Sequence, residues 1–322
     1  MSDQFALFDQ VAAPPSRCPE DLLYEHPMHI EGAGMKIATI RTRFVPVLLA
    51  CLTLGLAACA TTASTPTGVQ RLYVLYCGEA HIPDISPWSP GVNVGKPADF
   101  SDNCYLIRHG NDWMMWDTGF ADALASLPGG ALGARNMRAK RTRTLASQLA
   151  EIGISPDQIH YLAFSHSHSD HVGNGNLFTA ATLYIQQAEY DAAFGPEPTK
   201  FGFAPANYDK LRTSRIVKLH GDYDVFGDGS VRILSTPGHT PGHQSLLVRL
   251  PKTGAVVLSG DVAHFEENFV NRRVPGFNFD IEQSKQSIDK IAAIVKAEHA
   301  QLWINHDAKQ NATIAHAPQS IE

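Results

Sequence analysis

Cysteine is scarce in this chain, with five among 322 residues. Cys59, Cys77 and Cys104 stand at no spacing that a thiolate-held metal uses, which excludes a sulfur-ligated site. Charge is also sparse at 18% of residues, with a formal balance of -6 and no run of like charges. A broad nucleic-acid surface, normally basic, does not fit that balance. Internal repeats are missing as well, which excludes a solenoid. What is plentiful is apolar side chain: 44% of residues are hydrophobic, enough to bury a core and too much for disorder.

Met35-Lys36, Arg41 and Arg43 precede an apolar run from Phe44 to Ala58, too short for a stable bilayer span, which ends Leu56-Ala57-Ala58-Cys59. A basic start, a short apolar stretch and small residues read as an export signal. Pro46 and Gly55 inside the run speak against a buried core helix. Residues 1–34 are then an extension upstream of the expected start at Met35. The Leu-Ala-Ala-Cys ending resembles a bacterial lipoprotein box. The expectation is a leader at 35–59 and a protein in the periplasm or anchored to the outer membrane through a lipidated Cys59. Cleavage after Ala60 would instead release a soluble periplasmic protein. A linker at 60–69 and one domain at 70–322 follow. Within that domain Cys77 and Cys104 either pair, as an oxidising compartment allows, or remain buried thiols.

Strands are predicted at Arg71–Tyr76, Cys104–Arg108, Trp113–Trp116, His160–Phe164, Thr182–Ile185, Ser230–Leu234, Gln244–Leu250, Ala255–Leu258 and Gln301–Ile304. Helices are predicted at Thr144–Ile152, where Leu145, Leu149 and Ile152 share a face and Gly153 stops the turn, and at Ile281–Ala297. The Pro/Gly-rich stretch Gly78–Ser101 reads as one long loop, a lid or pocket wall. This is an α/β pattern of layered sheets with helices outside and chemistry in the strand-end loops.

The chemistry is concentrated in Ser165-His166-Ser167-His168-Ser169-Asp170-His171, directly after a predicted strand. Alternating side chains in extended backbone face the same way, so such a loop aims imidazoles and a carboxylate at one point. Imidazole nitrogen and carboxylate oxygen are donors for zinc and similar divalent ions. The intervening Ser165, Ser167 and Ser169 are then expected to face away.

His-x-His-x-Asp-His after a strand resembles the signature of the metallo-β-lactamase superfamily. Further segments resemble the family in the same order: Asp117-Thr118-Gly119, Thr236 through His243, Ser259-Gly260-Asp261 and Asn305-His306-Asp307. The resemblance implies an αββα sandwich forming a single catalytic domain. It also implies two divalent metal ions, zinc being the first choice. His166, His168 and His239 would hold one ion, and Asp170, His171 and His306 the other, with Asp261 bridging. Asp117 would orient a ligand imidazole, while His243 matches no ligand and reads as a packing residue. His81, His109, His160 and His220 read as surface or packing residues, with His81 an outside candidate for the pocket.

Within the superfamily the resemblance is to the N-acyl-homoserine lactonases. It is carried by Ile185–Tyr190, Gly221–Val225, His239–Leu247, Glu267-Asn268-Phe269 and Val274–Phe277. It implies opening of an acyl lactone by a metal-bound hydroxide, with Asp170 moving protons. Those enzymes commonly carry tyrosine three residues past the bridging aspartate; here His264 stands there and is the expected substitute for holding the substrate carbonyl. The partners expected are a small acyl lactone, the membrane through Cys59, and a second copy of the chain in a homodimer; nucleic acid is not among them. Rival readings are a β-lactamase, an ester or organophosphate hydrolase on the same centre, and a non-catalytic binding lipoprotein.

Overall fold

The computed structural model describes residues 67–322; the extension, the expected leader and most of the linker lie outside the described residues. Two sheets face each other. The first has eight strands in the order β4-β5-β1-β2-β3-β6-β7-β8. These are β1 (Val69–Ile82), β2 (Ala98–His109), β3 (Asp112–Trp116), β4 (Ala131–Leu132), β5 (Arg138–Lys140), β6 (Tyr161–Ala163), β7 (Thr182–Gln186) and β8 (Ile216–Leu219). The second has five in the order β13-β12-β11-β10-β9, from β9 (Tyr223–Asp224), β10 (Val231–Ser235), β11 (Gln244–Leu250), β12 (Gly254–Leu258) and β13 (Gln301–Trp303).

The period-two burial of these strands builds the layers. In β11, Leu246 and Val248 join Tyr105, Ile107, Met114 and Trp116 of the first sheet in the core between the sheets. Leu247 points the other way, onto Ile288 and Ile291 of α5 (Ile281–Ala297). On the outer face of the first sheet, Leu106, Met115, Leu162 and Leu183 pack on Leu145 and Leu149 of α1 (Leu145–Ile152), and on Ala192 and Ala193 of α3 (Gln187–Ala193). The result is the expected αββα sandwich. Thr144 caps α1 by accepting from the Ser147 N–H, Gly153 ends it in the left-handed region, and Asp280 caps α5. Among the described residues no helix is long and apolar enough to cross a membrane.

The loop expected over Gly78–Ser101 is shorter than predicted. β1 continues to Ile82 through an irregularity at Tyr76/Gly78, pairing Glu79 with Ser101 and Ile82 with Ala98, so only residues 83–97 are free of the ladder. Gly78, at φ 144, absorbs that irregularity, which is why its glycine was read as a break. Cys77 and Cys104 form a disulfide between β1 and β2 with Cα atoms 5.8 Å apart. Gly119 leaves no room for a side chain against Cys77, so the bridge backs directly onto the Asp117-Thr118-Gly119 turn. Replacing both cysteines by serine should lower unfolding free energy by about 3 kcal/mol, the loop-closure contribution of such a bridge. Denaturant titration of the oxidised and reduced protein should show the same difference.

Candidate metal centre

Every candidate ligand follows the C-terminal end of a strand. His166 and His168 follow β6, Asp170 and His171 lie on the short α2 (Ser169–Val172), His239 follows β10, Asp261 follows β12 and His306 follows β13. Two clusters are those expected, His166, His168 and His239, and Asp170, His171 and His306; the donors of Asp261 also converge with His166 and His171, and with His239 and His264. In the first, His168 Nδ1 lies 2.8 Å from His166 Nε2 and 3.1 Å from His239 Nε2. In the second, His306 Nε2 lies 3.3 Å from His171 Nε2 and 3.8 Å from Asp170 Oδ2. Asp261 stands between them. Its Oδ2 is 3.3 Å from His239 and 3.8 Å from His166, and its Oδ1 is 3.3 Å from His171 and 3.1 Å from His306.

The far nitrogen of each ring explains which nitrogen faces inward. His168 Nε2 donates to Phe201 O (3.0 Å), His171 Nδ1 to Asp117 Oδ2 (3.0 Å), His239 Nδ1 to Asn278 Oδ1 (2.9 Å) and His306 Nδ1 to Ser101 O (2.8 Å). His166 Nδ1 faces the Ser165 hydroxyl at 3.1 Å. With the proton held on the outer nitrogen, the inner one carries a lone pair. Several lone pairs and a buried carboxylate oxygen, Asp261 Oδ1, that has no hydrogen-bond donor converge on one space. That donor set fits divalent cations and little else.

The electrostatics agree. Burial, the largest influence, drives His166 and His239 well below the usual imidazole range and so keeps them neutral. Burial also opposes the charged form of Asp261, but His306, His264, His171 and His166 hold its carboxyl well below the usual range. At His306 and His171 burial is outweighed by the Asp261 and Asp170 carboxylates, joined at His171 by Asp117. They raise His306 to about 9 and His171 well above the usual range; on these two rings a bound cation would take the place of the inner proton. The cluster attracts positive charge.

Supporting residues escaped sequence reasoning. Glu189 is 1% exposed and accepts from the Ser167 N–H (2.8 Å), the Thr240 hydroxyl (2.7 Å) and the Gly242 N–H (2.9 Å). One carboxylate therefore clamps two ligand loops. Burial pushes its pKa up and these donors pull it back. Asp102 receives the Phe120 N–H at 3.0 Å, and burial raises its carboxyl to about 7. Asn278 and the two carbonyls carried no signal in the sequence, because nothing local marks a carbonyl as a histidine's partner.

Asp117 does orient a ligand imidazole, His171, and also receives the Ser165 N–H at 2.6 Å. His243 stays outside both clusters: its Nδ1 faces Thr236 O at 3.0 Å and its Nε2 accepts the Asp261 N–H at 2.8 Å. His81 pairs with Asp99 on an exposed edge, away from the metal ligands. Ser169 departs from expectation. It lines the pocket, because α2 begins there and helical backbone replaces the strict alternation of a strand. His264 is buried, with Nε2 3.1 Å from Asp261 Oδ2 and, among the described residues, no hydrogen-bond partner on Nδ1.

The ligands open into a pocket lined by Trp88, Phe100, Phe120, Met137, Phe277 and Arg135. Trp88 reaches it because Asn268, on α4 (Glu266–Val270), donates to the Trp88 carbonyl and accepts from the Ser89 hydroxyl. Ile82 and Ile85 of the same segment do not line it, and pack beneath instead.

Comparison with known proteins agrees with this geometry. Residues 98–296 match the metallo-beta-lactamase superfamily. An N-acyl homoserine lactonase of Bacillus thuringiensis is 30% identical over 259 residues, covering 79% of this chain and 99% of its own. The lactonase AttM of Rhizobium radiobacter is 30% identical over 261 residues, covering 77% and 97%. A solved N-acyl homoserine lactone hydrolase with N-hexanoyl-L-homoserine at its catalytic metal center superposes with a TM-score of 0.69 at 29% identity, over 79% of this chain and 100% of that one. The dizinc lactonase AidC, 17% identical with a TM-score of 0.56, shares the fold.

A sandwich of this topology with His and Asp ligands at its strand ends makes the chain a member of the metallo-β-lactamase superfamily. Within it, the chain is a metal-dependent hydrolase of the N-acyl-homoserine-lactonase kind.

Asp117→Asn keeps the shape of the turn but weakens its hold on His171. It should lower metal retention by about 10–100-fold, read by competition with a chromogenic chelator.

Proposed function

We propose that this enzyme opens the ring of N-acyl homoserine lactones, using two divalent ions, zinc being the first choice. One observation carries the reading: the paired ligand clusters joined by Asp261 sit at the floor of an aromatic-walled pocket, in a chain related along most of its length to lactonases. A neutral, amphipathic lactone suits that pocket, with its polar ring at the ligands and its chain against Trp88, Phe100 and Phe277.

Ions bound there would supply an acidified water and positive charge for the carbonyl oxygen. The remaining work falls to the chain. Asp170 lines the pocket with its side chain 24% exposed, the most open of the cluster's carboxylates. It would take the proton of the attacking water as the new C–O bond forms. It would return that proton to the ring oxygen as the ester C–O bond breaks, leaving an alcohol and a carboxylic acid whose remaining proton is lost to solvent, giving the carboxylate. Asp261 holds the two halves of the centre in register. His264 lines the pocket beside Asp261, its Nε2 3.1 Å from Asp261 Oδ2, and would hold the substrate carbonyl.

Export to an oxidising compartment, with Cys59 as a lipid anchor, belongs to the same proposal. The Cys77–Cys104 disulfide supports it, since such bridges persist outside the reducing cytosol.

The test follows proton release during opening of N-hexanoyl homoserine lactone by the metal-loaded chain, beside a cephalosporin and an aryl ester. The lactone should be turned over fastest, and His166→Ala/His168→Ala should abolish it. Turnover of the cephalosporin or ester alone would overturn the substrate assignment. His264→Phe should lower kcat on the lactone by about tenfold or more, as loss of one carbonyl-holding donor does, with metal content unchanged.

A further inference from the structure

Arg135 sits at the tip of the β4–β5 hairpin, at the edge of the eight-stranded sheet. Ala131 pairs with Ala139 and Leu132 with Arg138. The turn is closed by Gly133 N–H to Met137 O (2.7 Å) and Met137 N–H to Ala134 O (3.0 Å). Arg135 and Asn136 both adopt left-handed backbone, φ 53 and 57, although neither is glycine. Such residues are uncommon and persist where the surroundings over-determine them.

The hairpin tip sets Ala134, Arg135 and Met137 on the wall of the metal pocket. The guanidinium carbon lies 4.3 Å from the centre of the Phe277 ring and 5.9 Å from that of Trp88. Among the described residues Arg135 makes no ion pair and no hydrogen bond to protein. The carboxylates lining the pocket, Asp170 and Asp261, belong to the ion cluster. Burial lowers the pKa of this half-buried guanidinium, and no acid offsets it. A guanidinium brings five donors and no acceptor, and stacking on aromatic rings satisfies none of them. Such a group in a substrate pocket calls for an acceptor on the ligand.

Its distance from the ligands narrows which acceptor. The Phe277 ring that the guanidinium covers is 6.4 Å from the ring of His239, a metal-ligand candidate, so the guanidinium sits one aromatic ring away from the ligands. A lactone reacting at the centre presents its ring there and its amide next to it. The acceptor that reaches Arg135 lies further along the chain. Trp88, Phe100, Phe120 and Phe277 accept methylenes with or without an oxygen among them, so chain discrimination falls to Arg135.

We propose that Arg135 is a specificity-determining residue that hydrogen-bonds an oxygen carried on the acyl chain beyond the amide, favouring oxo-substituted acyl lactones, probed here with the 3-oxo chain, over unsubstituted ones of equal length. This rests on the lactonase reading above.

The experiment compares N-hexanoyl and N-(3-oxohexanoyl) homoserine lactone on the metal-loaded wild type, Arg135→Met and Arg135→Lys. The readout is the ratio of kcat/KM for the two lactones, in which any inactive fraction of a variant cancels. The wild-type ratio should favour the 3-oxo chain. Arg135→Met should reduce that ratio by about tenfold or more, as loss of a hydrogen bond from a charged donor does. The loss should appear mainly in KM, with partial recovery in Arg135→Lys. An unchanged ratio in Arg135→Met, with both lactones still opened, overturns the inference and leaves the lactonase reading standing. An equal fall on both lactones also overturns it, since Arg135 would then serve a part common to both. Opening of neither lactone by the wild type removes the lactonase reading itself, and this inference with it.

Discussion

The centre depends on where the histidine protons are held. In His168, His171, His239 and His306 the outer nitrogen is tied to a carbonyl or carboxylate oxygen, which turns the inner lone pair toward a shared space. Lone pairs set this close repel one another unless positive charge lies between them. Burial and rigid acceptors fix the rings in that arrangement and so direct their donors at the ions they would hold. Asp261 completes it, each carboxylate oxygen facing a different cluster.

The fold supplies the rigidity. Ligands delivered from the ends of β6, β10, β12 and β13 come from both sheets, so their spacing is set by the packing of one sheet on the other. The interlocked core of Trp116, Tyr105, Leu246 and Val248 fixes that packing. Glu189 then locks the first ligand loop to the His239 loop, and Asn305 links the His306 segment to β2 by accepting the Asn103 N–H. The pocket above is built differently. Apart from Phe100 of β2 and Phe120, its walls are the 83–97 loop, the β4–β5 hairpin and the segment carrying Phe277, outside the interlocked core. Chain selectivity can therefore change there without disturbing the ligands.

Much of this was legible along the chain. The dense run from His166 to His171 declares itself because its donors are neighbours in sequence. α1 and α5 were readable from their caps and apolar stripes, and β11 from its apolar run. His239, Asp261 and His306 were recognisable only through resemblance, since each is a lone residue in its own loop. The long β1–β2 hairpin was misjudged because Gly78 reads locally as a break, whereas pairing over 78–82 with 98–102 is a long-range decision. Glu189, Asn278 and Arg135 had no legible role, for each acts on a residue distant in sequence.

The sequence by itself determined the class of chemistry, the alternation of strands and helices, and the residues able to ligate, because those follow from side-chain type and local period. Only the tertiary structure decided which cysteines pair, which nitrogen of each imidazole faces inward, that Asp261 faces both clusters, and that an arginine without an ion pair among the described residues overlooks them. The physical reason is the same in each case. Pairing, tautomer and bridging are properties of contacts between segments tens to hundreds of residues apart, and such contacts exist only once the two sheets have closed on each other.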